Sequence, residues 1–138
     1  MNFEIVPYVG AGCIKLGMER AEIRKCFNNI YRESKKSSST GNTSDVFDCC
    51  YVYYKEQDTC EAIEFFGEAQ ATIDGKIMLG EPYSRVKNMF EAIDNSISFG
   101  DSGFTSFKYG VGVYAPFAQD EPDEPVESVI VFEKGYYD

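Results

Sequence analysis

The stretch GKIMLGEPYSRVKNMF, residues 75–90, echoes GCIKLGMERAEIRKCF, residues 12–27. A chain that repeats itself at that length is expected to build one structural unit twice, which narrows its fold more than any other feature of the sequence. Set in register, Ile14 meets Ile77, Leu16 meets Leu79, Gly17 meets Gly80, Phe27 meets Phe90 and Ile30 meets Ile93, with Ile23 against Val86. Ile23, Phe27 and Ile30 stand at i, i+4 and i+7, the spacing of one helix face. Each copy therefore reads as an extended lead-in, a glycine turn and an amphipathic helix. The helices are expected from about Met18 to Arg32 and from about Pro82 to Ala92 or Asn95. Pro82 suits a first helical turn, where its missing N–H is not needed. Glu19 and Glu81 place negative charge where the helix dipole favours it.

Behind the first helix comes the polar run SKKSSSTGNTS (34–44), then two stretches rich in β-branched and aromatic residues, DVFDCCYVYY and TCEAIEFF, parted by KEQD. Behind the second come SGFTSFKYGVGVYAPF and VESVIVF, parted by the acidic, proline-bearing AQDEPDEP. Each pair reads as a β-hairpin. The expected fold is α+β: two tandem helix-plus-β-hairpin repeats, about 1–70 and 71–138, forming one domain with an antiparallel sheet and the helices packed on one face. Alternation assigns Phe47, Cys49, Tyr51 and Tyr53, with Phe107, Tyr109, Val111 and Val113, to the core face. Asp48, Cys50, Val52 and Tyr54, with Lys108, Gly110, Gly112 and Tyr114, fall on the open face.

Composition limits the chemistry. The chain has 138 residues, no His and no Trp, but ten Tyr and eleven Phe. Without His it lacks the commonest general base near neutral pH and the commonest metal ligand. Five Cys, with no CxxC and only Cys49 and Cys50 adjacent, give no complete disulfide framework and no metal motif, so they read as small buried hydrophobes and no cofactor or metal is expected. A P-loop, a dinucleotide fingerprint and a nucleophile elbow are all missing. Gly110-Val111-Gly112 lies inside a strand pattern, where it is a packing feature. Carboxylates such as Asp48 and Glu64 could do acid–base work, but nothing in their spacing requires it. The expectation is a protein that is not an enzyme.

The net charge of −10 repels nucleic-acid phosphates and anionic membrane and favours a basic partner. The N-terminal MNFEIVPYVGAGC has neither the basic nor the apolar region of a signal peptide, and no stretch has the length of a membrane span, so a cytoplasmic location is expected. An open sheet face bearing Tyr54 and Tyr114 beside Asp48 has the character of a protein-binding surface, since Tyr brings rigid area with a polar tip. The loop acids Asp120, Glu121, Asp123 and Glu124 are the natural complement to a basic surface.

The phrase GCIKLGMERAEIRKCF resembles the G-x-I-x-L-G-M-[ST]-x-x-E-[IV] opening of the small α+β units in outer-membrane assembly lipoproteins of the SmpA/BamE type. Two such units in tandem are similar to the β-lactamase-inhibitor-protein architecture, whose concave sheet grips an enzyme, and short acidic chains of this kind occur among bacterial toxin-immunity proteins. The chain departs from the pattern at Glu19 and at Glu81-Pro82, where Ser or Thr and Met-[ST] would stand. The resemblance implies a cytoplasmic immunity protein that neutralises a co-produced, basic toxin domain by binding it. The alternative is a non-catalytic assembly module with another protein partner. It brings no catalytic residues.

Overall fold

The computed structural model describes residues 2–34 and 42–137; most of the polar run 34–44 lies outside the described residues. Strands dominate. Nearest the N-terminus are β1 (Asn2–Val6), β2 (Gly10–Ala11), β3 (Ile14–Lys15), a helix α1 (Arg20–Cys26), β4 (Arg32–Ser34), β5 (Ser44–Val46), β6 (Cys50–Tyr54) and β7 (Cys60–Phe66). The chain continues through β8 (Gln70–Ile73), β9 (Lys76–Ile77), α2 (Tyr83–Glu91), β10 (Ser98–Gly100), β11 (Gly103–Ser106), β12 (Val111–Tyr114) and β13 (Ser128–Phe132).

These strands make two sheets, and that overturns the expected α+β arrangement of helix-plus-hairpin repeats on a single sheet. The larger has eight strands in the order β10-β11-β12-β13-β7-β6-β5-β4, all antiparallel. The smaller has five, β3-β2-β1-β8-β9, with β1 and β8 parallel. Each helix is thus followed by a four-stranded meander, and the two meanders meet where β7 pairs with β13. Two stretches expected to be single strands are each bent in the middle. DVFDCCYVYY folds back at residues 47–49, where the Phe47 N–H donates to the Cys50 carbonyl at 2.8 Å. SGFTSFKYGVGVYAPF folds back between β11 and β12.

The helices are also smaller than expected, seven and nine residues. Asn28 and Asn29 end α1 by adopting left-handed backbone (φ 56° and 60°), and the Asn29 N–H returns to the Arg24 carbonyl at 2.8 Å. Asn tolerates that conformation better than most residues, so it stops a helix as Gly does. Ile30 consequently leaves the helix and is 71% exposed, whereas Ile23 is fully buried.

One hydrophobic core fills the space between the layers. It takes Phe3 and Ile5 from β1, Ala71 and Ile73 from β8, and Ile23, Val86 and Phe90 from the helices. They pack with Val52, Ile63, Phe65, Val111, Val113, Val129 and Val131 of the large sheet. The Phe3 and Phe65 rings, 4.8 Å apart, tie the sheets together. The turn at 47–49 resets the alternation of β6, so Cys50, Val52 and Tyr54 face the core, while Tyr51 and Tyr53 point to the far side, the reverse of the expected faces. In β12, Val111 and Val113 face the core as alternation predicts.

Candidate protein-binding face

The far face of the large sheet is defined by cross-strand partners, which share a side. Tyr51 pairs with Glu64, Ile130 with Glu64 and Gly112, and Ser128 with Phe66 and Tyr114. Thr105 pairs with Gly112 and Ser98, and Gly103 with Gly100 and Tyr114. This face divides into a filled half and an open half.

Aromatic residues fill the first half. Phe132 is surrounded by the rings of Tyr8, Phe107, Tyr136 and Tyr137, at centroid distances of 6.1, 6.1, 5.9 and 5.0 Å. Tyr8 donates its hydroxyl to the Phe107 carbonyl, pinning the N-terminal loop to the turn between β11 and β12. Burial, followed by the nearby charges of Tyr137, Glu61 and Glu64, pushes the Tyr136 phenol up to about 12. Burial also raises the Tyr137 phenol, so Tyr136 and Tyr137 stay neutral at physiological pH.

The open half is a groove of about 620 Å³ over β10–β13 and β7. Ser98, Gly100, Gly103, Thr105, Gly112 and Ser128 give it a floor of small side chains, and Tyr114 and Tyr137 stand around it, 45 and 55% exposed. A Cβ on Gly112 would come within 2.8 Å of Ile130 Cγ2, so glycine there lets Ile130 lie flat across the sheet. Glu64 lies within this lining. Its Oε1 accepts from the Tyr53 hydroxyl at 2.6 Å and its Oε2 from the Ser128 hydroxyl at 3.2 Å. Burial, then the bond to Glu64, raises the Tyr53 phenol, so this hydroxyl remains a donor and holds the carboxylate in place. The lining contains no Lys or Arg.

The strand register also gathers charge. The 47–49, 67–69 and 101–102 turns and the 115–127 connection all emerge at one end of the large sheet. They carry Asp48, Glu68, Asp101, Asp120, Glu121, Asp123, Glu124 and Glu127, and no Lys or Arg. The connection is fixed, because its backbone caps α2, which has no side-chain cap. The orphan N–H groups of Tyr83 and Ser84 donate to the carbonyls of Glu124 and Pro122 at 2.9 and 2.8 Å, and the Ser84 hydroxyl donates to Asp123 at 2.9 Å. The neighbouring Glu121 carboxylate raises the Glu124 carboxyl above its ordinary value.

Of the residues expected at the site, Tyr114 lines the groove. Asp48, Asp120, Glu121, Asp123 and Glu124 lie together at the acidic end. Tyr54 does not belong to either. It is fully buried on the core side, donating to Asp45 Oδ2 at 2.9 Å beneath the Arg20 guanidinium, 4.1 Å from its ring. The parity reset at 47–49 put it there. Asp48 and Glu64 form no acid–base pair: one occupies a turn and the other the open face of β7. Sequence reasoning missed Ile130 and Tyr137. The glutamate in the alternation Ala62-Glu64-Phe66 was the available signal for the groove. Cys13 is exposed and Cys26 and Cys49 half-buried, so only Cys50 and Cys60 are the buried hydrophobes expected.

Among the described residues, no cluster of three or more Cys, Asp or Glu is placed to hold a metal ion, and no helix is long and apolar enough to cross a membrane. Comparison with known protein families, curated proteins and solved structures finds no match for the chain.

Proposed function

We propose that this chain is a non-catalytic binding protein of the immunity type, which neutralises a co-produced basic toxin domain by covering its functional surface. The observation that supports it is the outer face of the large sheet. That face combines an open groove, exposed aromatic side chains and an adjoining end whose turns carry acids without a basic residue. Exposed aromatic area gives an interface its anchors. A one-signed field beside it draws in an oppositely charged partner, raising association rates by roughly 10–1,000-fold at low salt.

The test is protection together with capture. Cells expressing the chain should survive a toxin encoded beside it, and the purified proteins should form a complex whose association slows steeply as salt rises. Replacing Asp120, Glu121, Asp123 and Glu124 together by Lys should slow association with little change in thermal stability, except for the loss of the Ser84–Asp123 bond. Binding to an acidic partner, or association indifferent to salt, would sink the proposal.

A further inference from the structure

The echoing segments differ at two positions that carry thiols in the first copy. Cys13 is the second residue of the turn between β2 and β3, and Cys26 is the last residue of α1. In register, the second copy has Lys76 and Met89 there, and both line one groove beside β9 and α2. The fold thus brings this pair of positions together in each copy, and only the first copy fills them with cysteine. A contact already links the two: the Cys26 thiol donates to the Cys13 carbonyl at 3.4 Å. Cys13 is exposed, so its side chain has room to turn toward that sulfur, and Cys26 is half-buried. Burial, then the Cys13 thiol beside it, pushes the Cys26 thiol up to about 11, so Cys26 stays protonated at neutral pH and is a poor first nucleophile. Cys50 and Cys60 are buried, which keeps a dissolved oxidant from them.

We infer that Cys13 and Cys26 form a disulfide by exchange with an oxidised low-molecular-weight disulfide, and that this bond staples the β2–β3 turn to the end of α1. The exposed Cys13 loses its proton to solvent, and its thiolate attacks one sulfur of the oxidant. A mixed disulfide forms, and one small thiolate leaves and takes up a proton. Cys26 then gives up its proton and attacks Cys13 Sγ, which closes the protein disulfide and releases the second small thiol. Two protein thiols are oxidised, and one small disulfide is reduced to two thiols. The bond closes a short loop around β3 and α1, the helix whose Arg24 holds the buried Asp45. Closing such a loop takes conformational freedom from the unfolded chain, so the oxidised protein is the more stable form. Neither cysteine lines the groove on the outer face, so the staple stands whether or not a toxin is the partner.

The test takes the whole reduced chain, incubates it at low concentration with glutathione disulfide, alkylates it and digests it with trypsin without reductant. Trypsin cuts after Lys15, Lys25 and Arg32, so peptides 1–15 and 26–32 should appear joined, and dithiothreitol should part them. The oxidised protein should melt roughly 5–15 °C above the reduced one. Cys26→Ser should stop at a stable glutathione adduct on Cys13 with no rise in melting temperature, because no second thiol displaces the glutathione. Cys13→Ser should stay unmodified at Cys26 under conditions that oxidise wild type. A linkage through Cys49, a disulfide between two chains, a glutathione adduct on wild-type Cys13 that never resolves, or an oxidised protein no more stable than the reduced one would each overturn the inference.

Discussion

Asp45 shows how far a single residue can serve structure where its neighbourhood looks functional. It is fully buried, yet it accepts two hydrogen bonds from Arg24, both at 2.8 Å, and a third from Tyr54 at 2.9 Å, with Arg20 at 3.6 Å. The bond to Asp45 raises the Arg24 guanidinium further, so Arg24 is charged at any accessible pH. Removing one partner leaves the other charge buried, so Asp45→Ala should cost about 3–5 kcal/mol in urea unfolding. Tyr54→Phe removes one hydrogen bond and should cost about 1–2 kcal/mol while leaving partner binding unchanged. Loss of binding with stability intact would return Tyr54 to the interface. Asp94 gives the pH dependence. Burial alone would raise its carboxyl, but hydrogen bonds from Ser106 at 2.7 Å and from the Ser96 N–H and hydroxyl, both at 2.9 Å, with the charge of Lys108, outweigh burial and hold it below the ordinary value. A depressed folded pKa contributes stability above the unfolded value, about 3.9, and loses it as pH falls through the folded one. Asp94→Asn should therefore be less stable than wild type at neutral pH, and the gap should close below about pH 4 in thermal melts. A gap that stays constant into acid would rule out the carboxylate as its source.

At the level of elements, the echo between residues 12–27 and 75–90 marks matching local structure. Gly12 and Gly75 sit in hairpin turns at φ 58° and 75°, and Gly17 and Gly80 precede the two helices at φ 86° and 79°. Nothing lies within 4 Å of a Cβ placed at Gly17 or Gly80. The cost of alanine there is therefore backbone strain alone, about 1–2 kcal/mol at each site. Gly17→Ala and Gly80→Ala should lower the urea midpoint by similar amounts, and doubling them should be additive; a much larger loss at one would mean that the two turns carry different loads. Such positions were legible because glycine at positive φ leaves a mark in sequence. The turn at 47–49 left none. Phe-Asp-Cys lacks Gly and Pro, so the stretch read as continuous strand, and the missed bend inverted the faces of β6 and sent Tyr54 to the wrong side. The second sheet was hidden for a related reason: β2, β3 and β9 have two residues each, too short to show a period. The acidic connection was legible as charge, but its capping of α2 runs through backbone carbonyls, which side-chain identity does not report.

Across the whole molecule, the two halves are joined by backbone as well as by packing. β7 and β13 pair over five residues on each strand, Ala62–Phe66 with Ser128–Phe132, at the centre of the large sheet. β1 pairs with β8 at the centre of the small one, Asn2–Glu4 with Gln70–Thr72. Cutting the chain in the turn between β7 and β8 would expose the unpaired edges of four strands and uncover Phe65, Val129 and Val131, all fully buried in the intact chain. Unpaired strand edges and exposed core faces favour aggregation over independent folding. Fragments 1–68 and 69–138 should each lack a cooperative unfolding transition, and co-expression should restore one soluble, equimolar complex with the spectrum of the intact protein. A fragment that melts cooperatively on its own would show that half the chain carries a sufficient core. The result also bears on function, because the groove draws Glu64 from the first half and the rest of its lining from the second. The groove exists only once the central pairing has formed, so on the proposed reading capture of a basic toxin domain should need the reassembled complex and fail with either fragment alone.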